Sequence, residues 1–251
     1  KIQKQLGNAN KIMARVLYAL GKEYDFNLVN INGGNAANVI AQFNTAQIIA
    51  DSSQVQAITD AVAALETTII DEFAGQEPTL SLKASVEGEA TLNAFDADTT
   101  TRVIGFLYGA IDGVQCYDRA FPTAVESSLN TGIVETTEDT VKVKFQVRSS
   151  VATKLTDMQN KLDLTTDLAG ASREISGAYP AWAYNADSVI RPKALALYKD
   201  MFGTEPTVET THGGLECGIL FGKKPDLDII SFGPDLTGVH TYHERVHIAS
   251  T

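Results

Sequence analysis

The sequence predicts an α+β domain, with helices packed on one face of an antiparallel sheet, followed by a shorter and incomplete α/β segment. Two observations predict this. In residues 1–176, strand-like runs are grouped and joined by turn sequences, as in antiparallel hairpins. From residue 177 onward, helical and strand-like runs alternate in the doubly wound pattern. Only two strands occur there, too few for a three-layer domain, so this segment is expected to be incomplete.

The helices of the first part are predicted from apolar residues that recur at three- and four-residue steps. Gly21 is expected to end the first helix with a left-handed cap. The N-cap candidates are Asp51-Ser52-Ser53 for the second helix and either Asp96 or Asp98 for the third. The predicted helices cover residues 2–20, 55–69, 97–111 and 151–169.

Alternating apolar residues predict the strands, and the acidic turn Glu135–Asp139 predicts a hairpin between two of them. The predicted strands of the first part cover residues 26–31, 39–50, 80–86, 124–136, 141–147 and 172–176. In the second part we expect a helix over 192–202, strands over 208–211 and 229–232, and a short helix between them.

Composition excludes several classes of protein. The chain has 251 residues, 44% of them hydrophobic, and a net charge of −11. Surfaces that bind nucleic acid or anionic membranes need clustered Lys and Arg, so neither partner is expected. No apolar run approaches the roughly 18 residues that span a bilayer. Two cysteines cannot form a disulfide framework, which favours a cytoplasmic location.

Two polar residues of the first part are candidates for substrate binding. Arg148 ends a strand, where it either forms a surface ion pair or captures a carboxylate through its planar guanidinium. Asn38 follows the turn Gly33-Gly34, where it either tolerates left-handed backbone or binds a peptide-like ligand through its amide.

The four histidines all lie in the second part of the chain. His212 precedes Gly213 and Gly214 at the end of a predicted strand, where it is either held by backbone hydrogen bonds or part of a ligand-facing turn. The run from His240 to Glu244 has metal-ligand residue types, but not the His-Glu-x-x-His order of a helical zinc site. We expect His243 and His247 to be solvent-exposed.

Together these segments resemble the aminoacyl-histidine dipeptidases, also called cytosol non-specific dipeptidases, a family of di-zinc peptidases. The matching stretches, in chain order, are Leu6-Gly7-Asn8-Ala9-Asn10-Lys11, Gly33-Gly34-x-x-x-Asn38, Glu126-Ser127-Ser128-Leu129-Asn130-Thr131-Gly132, Val147-Arg148-Ser149-Ser150, Leu168-Ala169-Gly170-Ala171, Gly177-x-Tyr179-Pro180-x-Trp182, His212-Gly213-Gly214-Leu215-Glu216-Cys217-Gly218, Ile230-Ser231-Phe232-Gly233-Pro234, Val239-His240-Thr241 and Glu244-Arg245.

The resemblance implies that residues 1–176 are a lid and dimerisation domain and that residues 177–251 are the closing segment of a zinc-peptidase catalytic domain. It implies that His240 binds zinc, that Arg148 and Asn38 hold the substrate, and that His212, Gly213, Gly214 and Glu216 line the same cleft. The general base and the remaining metal ligands are expected upstream of Lys1. Where the family usually has Pro, this chain has Ala41.

The implied activity is hydrolysis of dipeptides, Xaa-His among them, by a homodimer with two zinc ions per site, with cobalt or manganese as alternatives. The chain alone is expected to be inactive, because one histidine cannot hold a paired zinc site. Two other interpretations remain open. The chain is a non-catalytic lid that serves dimerisation, or it is part of a related zinc deacylase or aminopeptidase.

Overall fold

The computed structural model describes residues 2–239 and 242–251, which form two compact units. The first unit comprises the residues up to Ala178 together with Thr211–Gly213, and the second comprises Tyr179–Thr210 and the residues from Gly214 onward. The roles assigned above to residues 1–176 and 177–251 stay predictions.

The first unit contains four α-helices and five strands. In chain order they are α1 (Ala9–Leu20), β1 (Phe26–Gly33), β2 (Asn44–Ala50), α2 (Val55–Glu72), α3 (Ala97–Gly109), β3 (Gly113–Tyr117), β4 (Val125–Thr136), β5 (Val141–Ser149) and α4 (Ala152–Leu168). Short 3-10 turns, Ile2–Lys4 and Ser52–Gln54, precede α1 and α2.

All five strands pair antiparallel in one sheet. The path runs β2-β1-β4-β3, and β5 pairs with β4 on the opposite side. The predicted α+β class, an antiparallel sheet with helices, is therefore confirmed for this unit.

Apolar side chains of the helices and strands form the core. Leu28 and Ile31 of β1 pack with Leu17 of α1 and Leu107 of α3, and all four are almost fully buried. A second cluster joins α1 to α2 through Val16, Leu20, Ile58, Val62 and Ile69. This burial supplies the main driving force for folding of the unit.

Helix starts follow the capping chemistry that the sequence predicts. The Asp96 carboxylate accepts a hydrogen bond from the Thr99 amide, 2.6 Å away, at the start of α3. Asp51 caps the 3-10 turn ahead of α2. The first helix begins at Ala9 because Asn8 caps it there, later than predicted. The left-handed cap predicted at Gly21 is wrong: its φ is −67° and the chain continues through a right-handed turn.

Three strand predictions in this unit need correction. Residues 80–86 form no strand, because the Leu82 amide donates to the Glu66 carboxylate and not to a neighbouring strand. Residues 172–176 are exposed and form no strand. The strand predicted from 39 begins only at Asn44, and residues 34–43 form a loop. The short strand β3 was not predicted, because its ladder to β4 is irregular and its residues are only partly buried.

The second unit contains α5 (Ile190–Phe202), α6 (Glu216–Lys223) and a short antiparallel pair, β6 (Leu236–Thr237) with β7 (Arg245–Val246). The strands predicted at 208–211 and 229–232 are absent. A strand needs a neighbour to accept and donate its backbone hydrogen bonds, and none of the residues described in the structure pairs with either stretch. No described helix is both long and apolar enough to cross a membrane.

Candidate substrate-binding site

A cavity of about 990 Å³ lies in the first unit, at the upper end of the size range of small-molecule sites. Strands β4 and β5 supply polar side chains, and α1, residues 38–44 at the end of the loop and the start of β2, and the segment 77–82 supply most of the rest. The apolar lining residues are Ile2, Leu6, Ala9, Ile12, Met13, Val39, Ile40, Phe43, Leu80 and Leu82. A cavity of this kind offers both apolar contact and a few fixed polar groups.

The polar part of the cavity follows from strand geometry. Side chains alternate between the two faces of a sheet, and Ser128 pairs with Arg148 while Asn130 pairs with Gln146. All four side chains line the cavity. The intervening Leu129 and Val147 belong to the opposite apolar cluster with Leu162 of α4. One face of β4 and β5 therefore packs against the apolar cluster with α4, and the other faces the cavity.

Arg148 presents an unpaired positive charge to the cavity. Its Nε is buried and has no hydrogen-bond partner, and none of the carboxylates that the structure describes forms an ion pair with it. A buried donor without a partner is costly, and a guanidinium pairs best with a carboxylate or phosphate. The surface ion pair considered from sequence is therefore not what the structure has.

His212 lies in the same cavity, held by a side chain of the sheet. Its Nε2 is 2.9 Å from the Ser128 Oγ, and the Thr211 Oγ1 accepts a hydrogen bond from the Gly213 amide at 3.0 Å. Burial, and secondarily the charge of Arg148, lower the pKa of His212 from 6.5 to about 4. The ring is therefore neutral at pH 7, and the positive charge in this part of the cavity belongs to Arg148.

Asn38 lies on the loop 34–43 and also lines the cavity. The side chain is exposed, and its amide forms no hydrogen bond to any other part of the chain that the structure describes. The structure thus brings together three residues that lie far apart in sequence, Asn38, Arg148 and His212, around one cavity.

The other predicted site residues are placed differently. Gly213 belongs to the first unit with His212, whereas Gly214 and Glu216 belong to the second, where Glu216 begins α6. Gly214 contacts the Tyr179 ring so closely that a Cβ would lie 3.0 Å from it. Their predicted roles stay predictions. His240, predicted to bind zinc, lies outside the described residues.

The donor side chains that the structure describes do not form a metal site. Among the residues the structure describes, no three His, Cys, Asp or Glu side chains cluster closely enough to hold a metal ion. A paired zinc site needs several such ligands, so the described residues alone do not fit one. His243 and His247 are exposed.

Ser128, Asn130 and Gln146 were not predicted as site residues. Ser128 and Asn130 lie within one of the matching stretches, but their roles depend on which residues of β5 face them. Strand register cannot be read from the pattern of β4, because polar residues occupy positions on both of its faces.

Comparison with known proteins agrees with this architecture. Residues 3–77 match the peptidase dimerisation domain family. The chain is 32% identical, over 247 residues and 98% of its length, to the cytosol non-specific dipeptidase of Escherichia coli (strain K12). It superposes with a TM-score of 0.85 on the crystal structure of aminoacylhistidine dipeptidase from Vibrio alginolyticus, at 28% identity over 97% of the chain.

The chain covers 50% of the length of each of these two relatives. The resemblance inferred from the sequence motifs is therefore confirmed: along almost its whole length, this chain is similar to half of an aminoacyl-histidine dipeptidase.

Proposed function

We propose that this chain supplies the substrate-binding part of a cytoplasmic dipeptidase of broad specificity, with Xaa-His dipeptides among its substrates. The observation that carries the proposal is the unpaired Arg148 guanidinium in a cavity that also contains neutral His212 and the free amide of Asn38. A dipeptide has a free carboxylate, one peptide group and two side chains, and these residues match that chemistry.

Each polar residue has a distinct role in this proposal. Arg148 binds the C-terminal carboxylate, because a guanidinium donates two parallel hydrogen bonds to it. Neutral His212 and Asn38 hydrogen-bond the peptide group, and the apolar lining contacts the substrate side chains. Holding the peptide in one orientation lowers the entropic part of the reaction barrier. Gly213, which follows His212 in the first unit, contributes to the same cleft.

The relatives' family implies a pair of zinc ions, with cobalt or manganese as alternatives. Bound metal supplies a water molecule acidic enough to attack a carbonyl at neutral pH. We propose that His240 provides one ligand, that the other ligands and the general base lie outside the residues described, and that this chain alone is inactive.

The test compares hydrolysis of a dipeptide with hydrolysis of its C-terminal amide by the full-length protein. In Arg148→Met, kcat/KM for the dipeptide should fall about 10- to 150-fold, the equivalent of losing a charge-assisted hydrogen bond of about 1.5–3 kcal/mol. For the amide substrate, which has no carboxylate, kcat/KM should fall only slightly.

The matched control is Arg173→Met, which removes an arginine that is paired with Asp163 and does not line the cavity. This variant should leave kcat/KM unchanged for both the dipeptide and its amide. Equal losses for the dipeptide and its amide would contradict carboxylate binding by Arg148. Turnover of N-acyl amino acids in preference to dipeptides would instead support the deacylase alternative.

A second proposed function is assembly of a homodimer through the first unit. The match of residues 3–77 to a dimerisation domain supports it, as does the position of β2 at the edge of the sheet, where none of the described strands pairs with its outer side. Such an edge is a template for pairing with another chain. Sedimentation equilibrium over a range of concentrations tests the idea, and a strictly monomeric protein would contradict it.

A further inference from the structure

The loop that carries Asn38 is attached to the sheet by one buried side chain. Asn130 of β4 is only 5% exposed, and its Nδ2 donates to the carbonyl oxygens of Ala37 at 2.7 Å and Val39 at 2.8 Å. These two residues are the chain neighbours of Asn38. One amide group therefore fixes the backbone on both sides of the residue that faces the cavity.

A glycine in the same strand allows the loop to come this close. The β4–β5 ladder shifts register between Thr131 and Ile133, so Gly132 has no partner in it. Any Cβ on Gly132 would collide with the Cα of Ala37 and the carbonyl oxygens of Ala36 and Ala37. The backbone of the loop thus lies directly against the backbone of the strand.

The position of Asn130 is itself fixed by a buried network. The Asn8 Nδ2 lies 3.4 Å from the Asn130 Oδ1 and donates to the Thr131 carbonyl at 3.1 Å. The Asp112 carboxylate accepts from the Thr131 amide at 2.7 Å. Farther along the loop, the Ala9 amide donates to the Ala41 carbonyl at 2.9 Å. These hydrogen bonds connect β4, the start of α1 and the loop 34–43.

We propose that Asn130 is a positioning residue, which acts on the substrate through Asn38 without touching the reacting peptide itself. The inference rests on the proposed substrate-binding role of the cavity. Loss of the two hydrogen bonds frees the loop backbone at Ala37 and Val39, so the Asn38 side chain is no longer carried by a fixed backbone. Misplacement of a binding group by about 1 Å is enough to cost up to two orders of magnitude in rate.

The test is a double-mutant cycle with Asn130→Asp and Asn38→Ala, made in the full-length protein. Asp has the same shape as Asn but cannot donate to the two carbonyl groups when ionised. We expect N130D to lower kcat/KM for a dipeptide about 10- to 100-fold in the wild-type background, and less than about twofold in the N38A background, because coupled residues are not additive.

The control is Asn27→Asp. Asn27 of β1 also donates to a backbone carbonyl, that of Phe95 at 2.8 Å, but it does not line the cavity. It should lower the unfolding midpoint without changing kcat/KM. Asn130→Ala, which introduces no charge, is the second variant if N130D does not fold.

Amide hydrogen exchange gives a readout that does not depend on activity. Exchange at residues 37–43 should quicken in N130D or N130A and stay unchanged in N27D. Additive effects in the cycle, or unchanged exchange in the loop, would overturn the positioning role. Absence of dipeptide hydrolysis by the wild-type protein would instead overturn the proposed function, and the exchange result would still decide whether Asn130 holds the loop.

Discussion

Single side chains set the charge state of the cavity, and the pKa of His212 is shifted by its surroundings there. Its pKa is lowered from 6.5 to about 4 by burial and by the charge of Arg148. NMR titration of the imidazole, assigned by its loss in His212→Gln, should therefore show little change between pH 7 and 5. A midpoint near 6.5 would contradict burial of the ring beside Arg148.

The same shift has a consequence for stability. Between pH 6.5 and 4 the unfolded chain binds a proton at His212 that the folded chain does not, so the free energy of unfolding falls as the pH falls. The slope from this group is at most about 1.4 kcal/mol per pH unit, and less because the ring is partly exposed and screened. Urea titrations at pH 7 and 5 should show a smaller difference in His212→Gln than in His247→Gln, an exposed control.

Among single residues, those with distinctive chemistry could be predicted from the sequence, but the residues that position them could not. Arg148, Asn38 and His212 could be singled out because guanidinium, amide and imidazole groups near turns and strand ends are typical of binding sites. Ser128 and Asn130 could not, because a Ser or Asn inside a strand is ordinary. Ser128 contacts His212, 84 residues away in the chain, and Asn130 contacts Ala37 in the loop, 93 residues away. Neither contact can be read from the local sequence.

Among the elements, the helices of the first unit are stabilised by one buried face each, and Leu107 of α3 illustrates this. It is 1% exposed and contacts the central cluster. Leu107→Ala should lower the free energy of unfolding by about 2–5 kcal/mol, because it removes buried methyl groups and leaves a cavity. Leu164→Ala on α4, where the side chain is 60% exposed, is the matched control.

The control should change the free energy of unfolding by no more than about 0.5 kcal/mol. Urea unfolding followed by circular dichroism measures both variants. Equal losses in the two variants would mean that α4 buries Leu164 against another surface in solution.

The elements also differ in how far sequence could predict them. Helices α2, α3 and α4 have local signals, an apolar stripe and, for α3, a capping carboxylate, and they were predicted within a few residues. The alternating run at 80–86 has the pattern of a strand, yet its backbone bonds to a glutamate of α2. Strand formation depends on a partner elsewhere in the chain, which alternation alone does not reveal.

For the molecule as a whole, net charge opposes self-association. The chain carries a charge of −11, and α2, which lies within the region matching the dimerisation domain, contains four acids and no basic residue. Glu66 and Glu72 form ion pairs with Lys83 and Arg15, so Asp60 and Asp71 carry the uncompensated charge of this helix. Two copies that meet near this helix repel each other. The Debye length shortens from about 30 Å at 0.01 M salt to about 8 Å at 0.15 M, so salt should weaken the repulsion.

We therefore expect association of the proposed dimer to strengthen as NaCl rises from about 10 mM to 150 mM, as measured by sedimentation equilibrium. Replacing two exposed acids of α2, Asp60→Asn with Asp71→Asn, should make association less dependent on salt, because less charge remains to be screened. Asp226→Asn in the second unit removes an exposed acid outside the matched region and should leave the dependence unchanged. A dimer that dissociates as salt is added would show instead that ion pairs across the interface outweigh the repulsion, and the acidic helix would then lie away from the contact.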